Sequence, residues 1–135
     1  MEAKDEYLLL FRGKDWWTSL TSEELQKTMD QVKAWFEKLS ESGRLKAAQP
    51  LAREGAILSG KTGRVVADGP FAESKEVIGS YALLQVDSLE EAIAIAKSCP
   101  TLRFGMEAEV RPLAAECSMA AHARQVLSEE QLAAA

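Results

Sequence analysis

Apolar positions along this chain change their period several times, and each change marks an element. Residues 7–11 (Tyr-Leu-Leu-Leu-Phe) form a continuous apolar run of strand length, the pattern of a strand covered on both faces. From residue 21 the period becomes helical, with Leu25, Met29, Val32, Phe36 and Leu39 predicted on one face. Thr21 and Glu24 have the spacing of a capping box that opens this helix, and Gly43 supplies its stop. Residues 45–51 read as a short second strand that Pro50 limits.

Two short strands follow at 56–58 and 64–67, joined by a glycine-containing bend, which predicts a hairpin. A polar loop leads from Asp68 to Gly79, and residues 80–86 then alternate as a strand. Ser88 with Glu91 predicts a second capping box, opening a helix whose Leu89, Ala92, Ile93 and Ala96 face inward and which Pro100 ends. Residues 107–111 complete the series as a last strand. The order β-α-β-(hairpin)-β-α-β is a split βαβ plan: an α+β, ferredoxin-like sheet with its helices on one face. Residues 1–113 are expected to form this domain, with 114–135 as an alanine-rich helical extension. Met119, Val126, Leu127 and Leu132 give the extension a thin apolar stripe, which fits either a loosely attached tail or a helix packed across a partner subunit.

Composition excludes more than it assigns. At 135 residues, 47% hydrophobic and 27% charged, the chain suits one globular domain. The net charge of -5, with Lys and Arg scattered, lacks the basic face of a nucleic-acid binder. No apolar run approaches the ~20 residues that cross a bilayer, and the charged start Met1-Glu2-Ala3-Lys4-Asp5-Glu6 has no apolar signal core, so a cytoplasmic location is expected. One histidine (His122) and two separated cysteines (Cys99, Cys117) are too few for a zinc site or a histidine-based nucleophile array, so neither a metal nor another cofactor is expected.

One motif imitates a phosphate loop. Residues 55–62 (Gly-Ala-Ile-Leu-Ser-Gly-Lys-Thr) match G-x-x-x-x-G-K-[ST], yet the stretch that follows, Gly63-Arg64-Val65-Val66-Ala67, is strand and not helix. Without a helix N-terminus aimed at the phosphates the pattern has no chemistry, and a hairpin turn accounts for it.

The densest functional signal is Asp68-Gly69-Pro70-Phe71, followed by Glu73, Lys75 and Glu76. An acid, a residue free to take positive φ, a locked-φ residue and an aromatic make a rigid bend that can aim a carboxylate. Asp-Gly is a common turn pair, so Asp68 shapes the bend; because neighbouring carboxylates can push their pKa values apart, it is also the candidate catalytic base. Trp16 and Trp17, outside the helical period, either cap the core or wall a pocket. Arg12 and Lys14 at the first strand's end either form an ordinary solvated strand end, as exposed charges mostly do, or meet an anionic ligand. Together with Gly69, Pro70, Phe71, Glu73 and Tyr81, the residues Arg12, Trp16 and Trp17 form the candidate ligand-binding set.

Tyr7-Leu8-Leu9-Leu10, Gly43-Arg44-Leu45, Asp68-Gly69-Pro70-Phe71-Ala72-Glu73-Ser74-Lys75-Glu76 with Gly79, residues 86–92 and Glu109-Val110-Arg111-Pro112 together resemble the YCII-related, or DGPF-domain, family. The resemblance spans about residues 4–113 in the family's order. It implies a homodimeric α/β barrel, two ferredoxin-like sheets facing each other around a cavity, with biochemical function mostly unassigned. Some such relatives are described as enzymes with a His-Asp pair, one linked to dechlorination of a hydroxylated aromatic, and others accompany sigma factors. This chain departs from the His-Asp pattern: its first helix carries Gln26, Asp30, Lys33 and Trp35 but no histidine, and His122 lies beyond the matched region. Three readings follow. The chain is a dimer that binds an unknown small molecule, a cofactor-independent enzyme for proton transfer or elimination with Asp68 as base, or an accessory protein acting through protein contacts.

Overall fold

The structure, a computed structural model, describes residues 5–13, 15–68 and 78–134. Its elements are β1 (Asp5–Arg12), α1 (Ser22–Glu41), β2 (Leu45–Pro50), β3 (Ala56–Ser59), β4 (Arg64–Asp68), β5 (Ile78–Val86), α2 (Leu89–Lys97), β6 (Glu107–Pro112) and α3 (Ser118–Ala134). Short 3-10 turns span Trp16–Ser19 and Leu102–Phe104. Four strands form one antiparallel sheet in the order β2-β5-β1-β6, the ferredoxin-like arrangement expected from the pattern. Strands β3 and β4 form a separate two-stranded hairpin, inserted between the second and third strands of that sheet.

Helix α1 begins where the sequence predicts. Thr21 Oγ1 accepts from the Glu24 backbone N–H at 3.1 Å, and Glu24 Oε1 accepts from the Thr21 N–H at 3.0 Å. Two of the orphan donors of the helix start are thereby satisfied. The helix ends in a Schellman arrangement, with Gly43 N–H bonded to Ser40 O and Arg44 N–H to Leu39 O. Gly43 has φ +75, a conformation that a Cβ would strain. The second capping box is shifted by one residue. Ser88 Oγ accepts from Glu91 N–H at 3.1 Å, while the Glu91 carboxylate reaches the Asp87 N–H at 3.2 Å instead of that of Ser88.

The core lies on one face of the sheet. Tyr7, Leu9 and Phe11 of β1 and Ala82, Leu84 and Val86 of β5 are buried against Ala92, Ile95 and Ala96 of α2, with Leu39 of α1 and Cys99 closing the cluster. Leu8, Leu10, Tyr81 and Leu83 occupy the other face and are half-buried. Among the described residues β1 is therefore covered on one face only, where the continuous apolar run suggested two.

Two further expectations are corrected. Met29 is 65% exposed, and Thr28 joins Leu39 as a buried residue of α1. Leu89 and Ile93 are exposed on α2, where Ile95 takes the inner position. Trp35, flanked by the expected core positions Val32, Phe36 and Leu39, is half-buried beside the core. It packs edge-on against Phe11 and Phe36 and donates from Nε1 to Ser98 Oγ at 2.8 Å, fastening α1 to the end of α2. The phosphate-loop imitation is the turn of the β3–β4 hairpin, with strand on both sides. In the C-terminal extension the helix begins at Ser118, and none of its residues 118–130 belongs to the core. Among the described residues no helix is long and apolar enough to cross a membrane.

Candidate functional site

Helix α1 does not lie flush on the sheet at its N-terminal half. A cavity of about 530 Å3 opens there, within the usual size of small-molecule sites. One wall is α1, which contributes Leu25, Thr28, Met29, Val32, Lys33 and Phe36. Phe11 of β1 and Ser80 of β5, opposite each other in register, form the floor. Trp16 and Trp17 close one end, and Cys99 and Thr101, from the turn after α2, close the inner side. Lys33 is the one charged residue of this wall, and it sits on the exposed side of α1.

The aromatic end is held from several directions. Trp16 stacks on Phe104 with centroids 5.2 Å apart and planes at 4°, and Trp17 meets Trp16 edge-on at 5.6 Å. Asp15, which precedes this turn, takes a left-handed conformation at φ 33. Its carboxylate pairs with Arg53, whose guanidinium lies 5.4 Å from the centre of the Trp17 ring. Arg103 donates to Gln31 Oε1 at 2.8 Å and lies over Phe104 at 4.7 Å, so the turn carrying Phe104 is tied to α1. Two aromatic side chains on a loop are thus fixed before any ligand arrives, which lowers the ordering cost of binding.

The inner side holds a small polar set. Thr101 Oγ1 lies 3.2 Å from Cys99 Sγ and donates to Met106 Sδ at 3.3 Å, which leaves it free to accept the thiol proton. Thr28 is 4% exposed, and its Oγ1 has no hydrogen-bond partner among the described residues. At the start of α1 the backbone hydrogen bond from Thr21, followed by the side-chain bond, holds the Glu24 pKa below its ordinary value. A second space of about 470 Å3 lies between α1 and α2, lined in part by Trp35, Lys38, Arg44 and Glu91. Two of its charges are already paired: Arg44 Nε lies 3.4 Å from Glu91, whose carboxylate also accepts from the Asp87 N–H.

The sequence-predicted residues divide among three places. Trp16 and Trp17 line the large cavity. Arg12 and Tyr81 lie on the other face of the sheet, where Arg12 pairs with Glu109 and Tyr81 stands opposite Leu10 and Gln49. Asp68 ends β4, with its backbone opposite Ala56. Lys14, Gly69, Pro70, Phe71 and Glu73, with Lys75 and Glu76, lie outside the described residues. The chain re-enters the sheet at Ile78, opposite Arg12, two residues before Ser80 in the cavity floor. Sequence reasoning missed Thr28, Cys99 and Thr101. Thr28 sat next to a predicted core position, and the other two come from a turn that no motif marked. Among the described residues no group of three or more His, Cys, Asp or Glu side chains is placed to hold a metal ion.

No curated protein matches this chain. Among solved structures it is similar to the 5-chloro-2-hydroxyhydroquinone dehydrochlorinase of Burkholderia phenoliruptrix AC1100, in complex with 2,5-dihydroxybenzoquinone. The two share 16% identity over 81% of this chain and 93% of the other, with a TM-score of 0.42. A model of the YCII-related domain matches residues 6–114, almost all of the β1–β6 unit. The chain belongs to the YCII-related domain family.

Proposed function

We propose that this protein binds a small organic molecule in the space between α1 and the sheet, and that it does so as a homodimer. The observation that carries the reading is the unfilled cavity of about 530 Å3, walled by Trp16, Trp17, Phe11, Val32 and Phe36. Among the described residues it is an open cleft with an almost wholly apolar, aromatic-rich lining, the usual form of a small-molecule site.

The homodimer is supported by the second face of the sheet. Leu8, Leu10, Tyr81 and Leu83 form an apolar patch with no covering layer among the described residues, edged by the Arg12–Glu109 and Lys46–Glu6 pairs. A second copy of the same sheet would cover it with matching chemistry. Catalysis with Asp68 as base is the enzymatic form of the proposal; Asp68 ends β4, and the next strand, β5, carries Ser80 of the cavity floor. Once a substrate is in hand, Asp68→Asn lowers turnover about 100-fold if the carboxylate is the base, and leaves it unchanged if Asp68 only shapes a turn.

The binding reading is tested by equilibrium dialysis against 2-naphthol, a rigid two-ring probe. The wild type takes up the probe, and Val32→Trp, which fills the cavity from α1, loses it while keeping a native circular dichroism spectrum. Equal uptake by the two proteins contradicts the reading.

A further inference from the structure

Taking the α1 cavity as the binding site, as proposed above, we propose that its occupant is a planar ring system of two or three rings carrying one hydroxyl or carbonyl that pairs with Thr28. Size sets the ring count. A space of roughly 150 Å3 holds one benzene, and this cavity, at about 530 Å3, holds about three such volumes. The walls set the shape: Trp16 is locked flat against Phe104, Trp17 stands edge-on to it, and Phe11 and Phe36 complete an aromatic box for a flat guest.

Thr28 sets the polar group. The other hydroxyl on the inner side, Thr101, is engaged with Cys99 and Met106. Thr28 lines the cavity, and its side-chain oxygen is unpaired among the described residues and turned away from the open space. It does not make the bond to the carbonyl four residues back that a helical threonine ordinarily uses. Threonine in a helix has two χ1 wells, so the hydroxyl can turn toward a guest, and it can then donate or accept. A guest with one neutral polar atom at this wall satisfies Thr28, and a purely hydrocarbon guest leaves it orphaned. Discrimination of this kind is larger than one made by shape alone, because the wrong ligand strands a buried polar group.

The test is a double comparison by equilibrium dialysis, with 2-naphthol and naphthalene as probes and the wild type, Thr28→Val and Thr28→Ser as proteins. The quantity read is the ratio of the two affinities, which removes the probes' own difference in hydrophobicity. The ratio shifts about tenfold against 2-naphthol in Thr28→Val, the worth of one hydrogen bond, and is retained in Thr28→Ser. Naphthalene binding persists in Thr28→Val, which reports an intact cavity. An unchanged ratio in Thr28→Val overturns the pairing with Thr28 while leaving the cavity as a binding site. Failure of the wild type to bind either probe overturns the binding site itself, and the pairing with it.

Discussion

Trp16 lies flat on Phe104, ring centroids 5.2 Å apart, and so joins the turn after β1 to the turn before β6. The two residues are far apart in sequence, and each stands in a short 3-10 turn closed by its own backbone hydrogen bonds. Their stacking fixes one end of the cavity. Aromatic pairs contribute ~1 kcal/mol beyond the area they bury. A double-mutant cycle of Trp16→Leu and Phe104→Leu, read by urea denaturation, is expected to show a coupling of about 1 kcal/mol. Additive effects would mean that the stack does not organise the cavity end.

The two faces of β1 make a sharper contrast. Leu9 is fully buried under α2, and Leu10, its neighbour, points to the open face. Leu9→Ala should cost about 2–5 kcal/mol of stability, the range for a buried leucine truncated to leave a cavity. Leu10→Lys should leave the protomer folded and instead break the dimer, as read by light scattering during size-exclusion chromatography. A wild type that elutes as a monomer, or a Leu10→Lys dimer as tight as the wild type, contradicts the sheet-to-sheet pairing.

Glu24 gives a pH dependence with a defined sign. Its carboxylate accepts from the Thr21 backbone, so its pKa is lower in the folded chain than in the unfolded one. Such a group adds stability above its unfolded value, about 4.3, and loses it as the pH falls through the lower folded value. Thermal melts of the wild type and Glu24→Gln, compared from neutral to acid pH, should show a wild-type advantage at neutrality that shrinks on acidification. A constant difference across that range would place the effect of Glu24 elsewhere than in its charge.

Much of the β1–β6 unit is legible in the sequence because its signals are local. The Thr21–Glu24 box, the Gly43 stop and the glycines of the β3–β4 turn each act within a few residues of themselves. The cavity is legible only in part. Helical period places Leu25, Met29, Val32 and Phe36 on one face of α1 but says nothing of how far that face stands from the sheet. The gap turns expected core residues into a wall and leaves Met29 exposed. Cys99 and Thr101 reach the site through a chain turn that follows α2, and such long-range placement leaves no periodic trace. Trp16 and Trp17 were visible as candidates because paired tryptophans in a loop need a reason to be there.

The central claim is that a small molecule enters between α1 and the sheet, and the three tryptophans report on it directly. Trp16 and Trp17 line that cavity, whereas Trp35 faces the other space and its indole N–H is bonded to Ser98. In nitrogen–proton correlation spectra titrated with 2-naphthol, the indole signals of Trp16 and Trp17 are predicted to shift with saturation, and that of Trp35 to move far less. Unmoved Trp16 and Trp17 signals at saturating probe, or a response centred on Trp35, would contradict the account.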